Sequence, residues 1–219
     1  MGDAAILAVS PGAVSQALLT IYGDILAVNN DAFYRARLDQ RIGVSAYDEA
    51  LAQFVSEKFA GRPIVHAGTG FGSLIAVLAA NGFEVCGIEQ DPTRFDGAEQ
   101  VRSGIQRRWP AAGKRFDLLK GPYPDAIAGT DWVSPDVVLL FTNVGAGWSH
   151  EIEDRVIATF PSFCAVFFFA RLFGRTRETP EEQAELLGRM RTALDGDIVA
   201  LDIPTSNAPH LFTPRRRVA

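Results

Sequence analysis

Residues 66 to 72 read HAGTGFG, with glycines at alternate positions directly after the apolar run Pro63-Ile64-Val65. Gly68, Gly70 and Gly72 let a backbone turn tightly and approach a ligand closely, because glycine lacks Cβ and tolerates positive φ. A helix beginning near Gly72 would aim its first, intrahelically unpaired N–H groups at an electronegative part of that ligand. Glu89 stands 21 residues after Gly68, at the end of the apolar run FEVCGIE. A carboxylate in that place accepts two hydrogen bonds from the diol of a ribose. The series strand, glycine loop, helix, strand, acid suits a nucleotide-type ligand far more specifically than a lone glycine triplet does. The plain alternative is a tight turn with a surface glutamate.

The elements that must position these residues alternate along the chain. The first 60 residues read as helices: AVSQALLTIYGDILAVNN, then NDAFYRARLDQRI with Asp31 near its start, then SAYDEALAQFVSEKFAG. In the last of these Ser45 is a good N-cap, Gly61 a fitting end, and Ala50, Leu51, Phe54, Val55 and Phe59 form one stripe. From Pro63 onward PIVHA, FEVCGIE, KRFDLLK, SPDVVLLFTNV and FCAVFFFARLF read as strands. GSLIAVLAANG, PTRFDGAEQVRSGIQRRW, HEIEDRVIATF and TPEEQAELLGRMRTALDG read as helices, the last with Thr179 as N-cap, Pro180 at N1 and Glu182 at N3. This alternation predicts an α/β fold with a mostly parallel sheet. VVLLF and CAVFFF are apolar without alternation, as strands covered on both faces should be. DIVALDIP and HLFTPRR are joined by a loop rather than a helix, which predicts an antiparallel pair at a sheet edge.

Composition sets bounds on partners. The 219 residues fit one large domain, or a domain with an extension, and can bury a sizeable core. Hydrophobic residues make up 47% and charged residues 21%, and the formal charge is 21 − 26 = −5. A negative balance speaks against nucleic acid as the main partner. No uncharged apolar window reaches the roughly 18 residues of a membrane span. The start, MGDAAILAVSPGAV, has Asp3 and no basic region, so no cleaved signal peptide is expected. Cys86 and Cys164 sit in strand-like runs and read as buried thiols rather than a disulfide. Together these features predict a cytoplasmic protein with no membrane partner. Oligomeric state is not legible.

Two ligands compete for the loop. Dinucleotide folds favour G-x-G-x-x-G near the start of their domain, whereas this loop is G-x-G-x-G and some 62 mainly helical residues precede it. Only 130 residues follow Glu89 (219 − 89), little room for a separate substrate domain. The stretch PIVHAGTGFGSLIAVLAANGFEVCGIEQD, residues 63 to 91, resembles the class I S-adenosylmethionine-dependent methyltransferases. The resemblance continues in architecture through VVLLFTNV and the closing strand pair to about residue 213. It implies a Rossmann-like, seven-stranded, mostly parallel sheet with an antiparallel last strand and a helical N-terminal extension. The extension, or lid, would span 1–61 and the Rossmann-like domain 62–219, as one structural unit.

The resemblance also implies roles. Gly68, Thr69, Gly70 and Gly72 would line the methionine and ribose portions of S-adenosylmethionine, and Glu89 would hold the ribose hydroxyls. Gln90 and Asp91 would lie beside the adenine, with Ile88 in apolar contact, and the turn at Lys120 and Gly121 would approach the adenine edge. Asp125 is an alternative there. His66 departs from the family, which has Asp or Glu two residues before the first glycine to help fix the ligand's ammonium. A histidine accepts only when neutral, and a nearby ammonium disfavours its charged form. His66 therefore either contacts the ligand as a neutral group or is a hydrogen-bonded strand-end residue with no such role.

The loop TNVGAGWSH after VVLLF would reach the transferring methyl. It makes Asn143 the leading candidate on the acceptor side, and one that would touch the cofactor as well. His150 is a candidate general base, since its ordinary pKa lies near neutrality. Its other reading is an exposed residue in a first helical turn capped by Ser149. Trp148 would stack on an acceptor or close the core. Tyr34, Arg35 and Arg37 lie in the lid, where an arginine could hold a carboxylate or simply face solvent. Arg171, Arg175 and Arg177 could bind an anionic acceptor, and Arg215, Arg216 and Arg217 read as a solvated tail. The loop lacks the N-P-P-[YF] signature of amino-group methylation on bases and the metal-binding acids of the catechol type, so no metal is expected. The function predicted is methyl transfer to a small molecule. An NAD(P)-dependent oxidoreductase, or a non-methylating synthase or binding protein on the same fold, is the alternative.

Overall fold

A computed structural model describes residues 8–110, 116–142, 147–203 and 209–215. The strands β1 (Ile64–Ala67), β2 (Val85–Glu89), β4 (Val138–Phe141) and β5 (Ala165–Phe169) bury every residue, while β3 (Phe116–Lys120) is only partly covered. With β6 (Gly196–Ala200) and β7 (Pro209–Pro214) they form one sheet in the order β3-β2-β1-β4-β5-β7-β6. The first five strands are mutually parallel; β7 runs antiparallel to both β5 and β6. The expected edge pair is present, with β7 inserted between β5 and β6.

Successive strand residues point to opposite faces, and this sorts the apolar runs into two cores. Ile64, Val85, Leu140, Phe167 and Phe169 pack with α1 (Pro11–Val28), α3 (Ala46–Lys58), α4 (Ser73–Ala80) and α5 (Pro92–Arg108). Val65, Cys86, Leu139, Phe141, Val166 and Phe168 face α6 (His150–Ile157) and α7 (Pro180–Ala193) on the other side. Uniformly apolar strands are thus the consequence of two covered faces. Cys86 and Cys164 form no disulfide.

The helix starts are set locally. Asp31 accepts from the N–H groups of Phe33 and Tyr34 and opens α2 (Ala32–Asp39). Ser45 and Asp48 form a reciprocal capping box on α3, and Thr179 and Glu182 form one on α7. By length and composition α1 could cross a membrane: it has 18 residues with a mean hydropathy of 1.2, and Asp24 is its only charge. In this fold Val14, Leu18, Tyr22, Ile25 and Leu26 bury one of its faces in the core.

The N-terminal helices are therefore part of the first core rather than an appendage. Their tightest point is Gly43, in the turn before α3, where a Cβ would overlap the backbone of Ser15 in α1; the next residue, Val44, donates its N–H to Ser15 Oγ at 3.1 Å. Backbone cannot yield as a flexible side chain does. Gly43→Ala is expected to destabilise the protein by about 1–3 kcal/mol, the usual range for overpacking, read as a lower urea midpoint at unchanged slope.

Candidate functional site

Gly68, Gly70 and Gly72 all have positive φ, at 72°, 58° and 86°. The loop hooks beneath the end of β2: Gly68 and Thr69 both donate to the Ile88 carbonyl, at 2.9 and 3.0 Å. It is then closed by Glu89, which is 6% exposed. Glu89 Oε2 accepts from Gly70 N at 2.8 Å, and Oε1 accepts from Asp91 N at 2.9 Å. The turn after β3 joins the same point, since Gly121 N donates to the Glu89 carbonyl at 3.0 Å. Gln90 is exposed beside it. Lys120 reaches Asp96 at 4.0 Å and lies over the Phe95 ring, and Asp125 pairs with Arg155. A carboxylate has about four lone-pair positions, so Glu89 keeps capacity for a diol after these two bonds. On this observation the loop fits the ribose of the expected cofactor.

His66 lies on the face of β1 that carries Ile64, turned toward α3. Residue 66 pairs with Leu140 of β4, which sets Thr142, two residues on and on the same face, beside the imidazole. Thr142 Oγ1 is 2.6 Å from His66 Nε2, and Thr69 Oγ1 is 3.3 Å from Nδ1. Burial pushes the imidazole pKa down to about 4, against a smaller upward pull from Asp48. His66 is thus neutral at pH 7, with a hydroxyl on each side.

The α2 and α3 segments cover this loop. Tyr34 stacks on Phe71 at 3.7 Å between ring centroids, and its hydroxyl accepts from Phe71 N at 2.7 Å. A Cβ at Gly70 would overlap that hydroxyl, so here the glycine makes room for the protein's own tyrosine. Burial pushes the Tyr34 phenol up to about 12, keeping it neutral. Asp31 pairs with Arg94 of α5 at 2.9 Å, anchoring the start of α2. Asp48, a residue that sequence reasoning passed over, is the hub. Its Oδ2 accepts from Ser45 N at 3.1 Å, Ser45 Oγ at 2.8 Å, Ser73 Oγ at 2.9 Å and Arg37 Nη2 at 3.2 Å. Ser73 is the first residue of α4, so this carboxylate ties α3 to the end of the glycine loop. The available signal was the spacing Ser45-x-x-Asp48, a capping box. Arg37 is largely buried rather than solvated, and Arg35 donates to the Leu26 carbonyl.

The acceptor-side candidates fall elsewhere. Asn143, with Gly145, lies outside the described residues, as do Arg216 and Arg217. Trp148 packs edge-on against Phe141 and Phe173, closing the second core. His150 opens α6, exposed, with Nε2 against the Arg175 guanidinium. Arg175, Arg177 and Arg189 converge on the fully buried carboxylate of Glu153, joining α6, the segment after β5 and α7. Arg171 pairs with Glu178, and Arg215 with Asp197. These arginines are engaged with acids of the fold, and Arg177 is buried.

The lowered His66 pKa has a sign. Between about 6.5, its ordinary value, and about 4 the unfolded chain binds a proton that the folded chain does not. Stability from this site is complete above that window and falls as pH drops through it, by roughly 3 kcal/mol at the lower end. His66→Gln removes the titration, so its unfolding free energy relative to wild type is expected to improve between pH 6.5 and 4. Urea titrations across that range measure it; an unchanged difference contradicts the buried neutral histidine. Independently, Tyr34→Phe leaves the Phe71 N–H unpaired and is expected to lower stability by about 1–3 kcal/mol.

No protein-family model matches the sequence, and no curated protein matches it. Solved structures do. Cofactor-bound Rv0187 from MTB is similar at 18% identity, over 95% of this chain and 99% of its own, with a TM-score of 0.59. The METTL16 MTase domain is similar at 13% identity, over 94% of this chain and 81% of its own, with a TM-score of 0.58. Magnesium protoporphyrin IX methyltransferase (ChlM) from Synechocystis PCC 6803, with bound SAH, is similar at 15% identity, over 88% and 91%, with a TM-score of 0.53. Likeness at these identities is likeness of fold. By its strand order, its antiparallel penultimate strand and these neighbours, the chain has the fold of the class I S-adenosylmethionine-dependent methyltransferases.

Proposed function

We propose that the protein is an S-adenosylmethionine-dependent methyltransferase, of the EC 2.1.1 class, acting on a small-molecule acceptor. The observation that carries the reading is the closure of the glycine loop on Glu89, at the carboxyl ends of β1 and β2. In open α/β sheets that edge is where ligands bind. Glu89 accepts the ribose hydroxyls; His66, Gly68, Thr69, Gly70 and Gly72 line the methionine and ribose portions. Gln90, Asp91 and Gly121 lie at the adenine, with Ile88 in apolar contact. The residues 1–61 serve as a lid over the domain 62–219, and the protein works in the cytoplasm.

When bound, the cofactor supplies a methyl group already activated by its positive sulfur. The protein's part is to hold the acceptor in line and to exclude water, which can supply much of the acceleration. A neutral His66 keeps like charge away from the sulfonium. Asn143 orients the acceptor and touches the cofactor. His150 takes the proton of an acceptor that must lose one. The acidic net charge of −5 favours a small molecule over nucleic acid.

Calorimetry with S-adenosylmethionine, S-adenosylhomocysteine and NAD(H) tests this reading. The first two are expected to bind and NAD(H) not. Glu89→Gln, which keeps size but removes charge and one acceptor, is expected to weaken S-adenosylhomocysteine about tenfold or more. Tight NAD(H) binding with no response to the other two would overturn the assignment.

A further inference from the structure

The hub at Asp48 has surroundings that its role in helix capping does not explain. Among the described residues, the side-chain hydroxyls of Tyr22 and Tyr47 are buried without completing a hydrogen bond. Each faces a hydroxyl, Ser73 for Tyr22 and Thr142 for Tyr47, and each lies close enough to Asp48 to feel its charge. Tyr47 also packs against Phe169 at the end of β5. Buried polar atoms left unpaired are uncommon and costly. Here two donors converge with one carboxylate, a neutral imidazole and a guanidinium on the edge of the glycine loop. The four bonds to Asp48 all fall on Oδ2, and the bonds of Arg37 use Nε and Nη2. Oδ1 of the acid and Nη1 of the arginine carry none of these bonds.

A carboxylate, a guanidinium and hydroxyl donors set side by side complement an α-amino acid zwitterion, whose ammonium needs an acceptor and whose carboxylate needs donors. The sequence offers no acid at position 66, where His66 is uncharged. We propose that the N-terminal helices supply the amino-acid subsite of the ligand: Asp48 accepts from its ammonium, while the Tyr47 hydroxyl and Arg37 donate to its carboxylate. The acid absent from β1 is thereby provided from α3, across the sheet edge. Tyr22 is fully buried and belongs to the same polar cluster through Ser73. This assignment rests on the proposed function, since it takes the ligand to be S-adenosylmethionine or its demethylated product.

The test compares S-adenosylhomocysteine with 5′-methylthioadenosine, which keeps the adenosyl thioether and lacks the amino-acid end. Affinities of both are measured by calorimetry for wild type, Asp48→Asn and Tyr47→Phe. Asp48→Asn is expected to weaken S-adenosylhomocysteine roughly tenfold to a hundredfold, the loss of a charged hydrogen bond, and to weaken methylthioadenosine several-fold less, so that the ratio of the two affinities changes. Tyr47→Phe is expected to weaken S-adenosylhomocysteine by about threefold to tenfold, again selectively. If Asp48→Asn fails to fold because its cap is lost, Tyr47→Phe alone decides. A ratio of the two affinities equal to that of wild type in the folded variants overturns the subsite and leaves the methyltransferase reading standing. Wild type that binds neither ligand overturns both.

Discussion

A carboxylate leaves water only if protein donors replace it, and Asp48 is where this constraint organises the molecule. Its donors come from three places: the turn before α3, the start of α4 and the guanidinium of Arg37 in α2. Each bond that satisfies the charge also fixes one element against another. The segments α2 and α3 therefore have a definite seat on the start of α4, which the apolar packing of α1 and α3 alone would not specify. Tyr34 adds a second fixed point by accepting from Phe71 N.

Glu89 plays the matching role from the other side of the loop. Its two oxygens hold Gly70 N and Asp91 N, so the loop's curvature and the start of α5 are set by one side chain. The site is thus defined by two buried acids about a glycine turn, one from the sheet and one from the extension. Between them lies an imidazole that burial keeps neutral.

Much of this was legible in the sequence. Unbroken apolar runs such as VVLLF and CAVFFF mark strands covered on both faces, and the cores on each side of the sheet show why. Gly68 to Gly72 and Glu89 come together as their spacing predicts, because a strand, a short helix and a strand have few ways to pack. The insertion of β7 between β5 and β6 was not legible, since strand order depends on pairing over long range rather than on periodicity. Asp48 was missed for a similar reason. Its capping spacing is local, but its bond to Ser73 spans 25 residues. Arg177 read as a ligand-side cation and proves to be buried against Glu153, a partner that only the fold brings near.

Both proposed roles require a single ligand to lie along the loop with its ribose at Glu89 and its amino-acid end at Asp48. A crystal structure of the protein with S-adenosylhomocysteine tests this directly. The expected result is ribose hydroxyls within hydrogen-bond distance of the Glu89 carboxylate and the ammonium within that distance of Asp48. A ligand bound with its ribose turned away from Glu89, or seated away from the loop altogether, would contradict it.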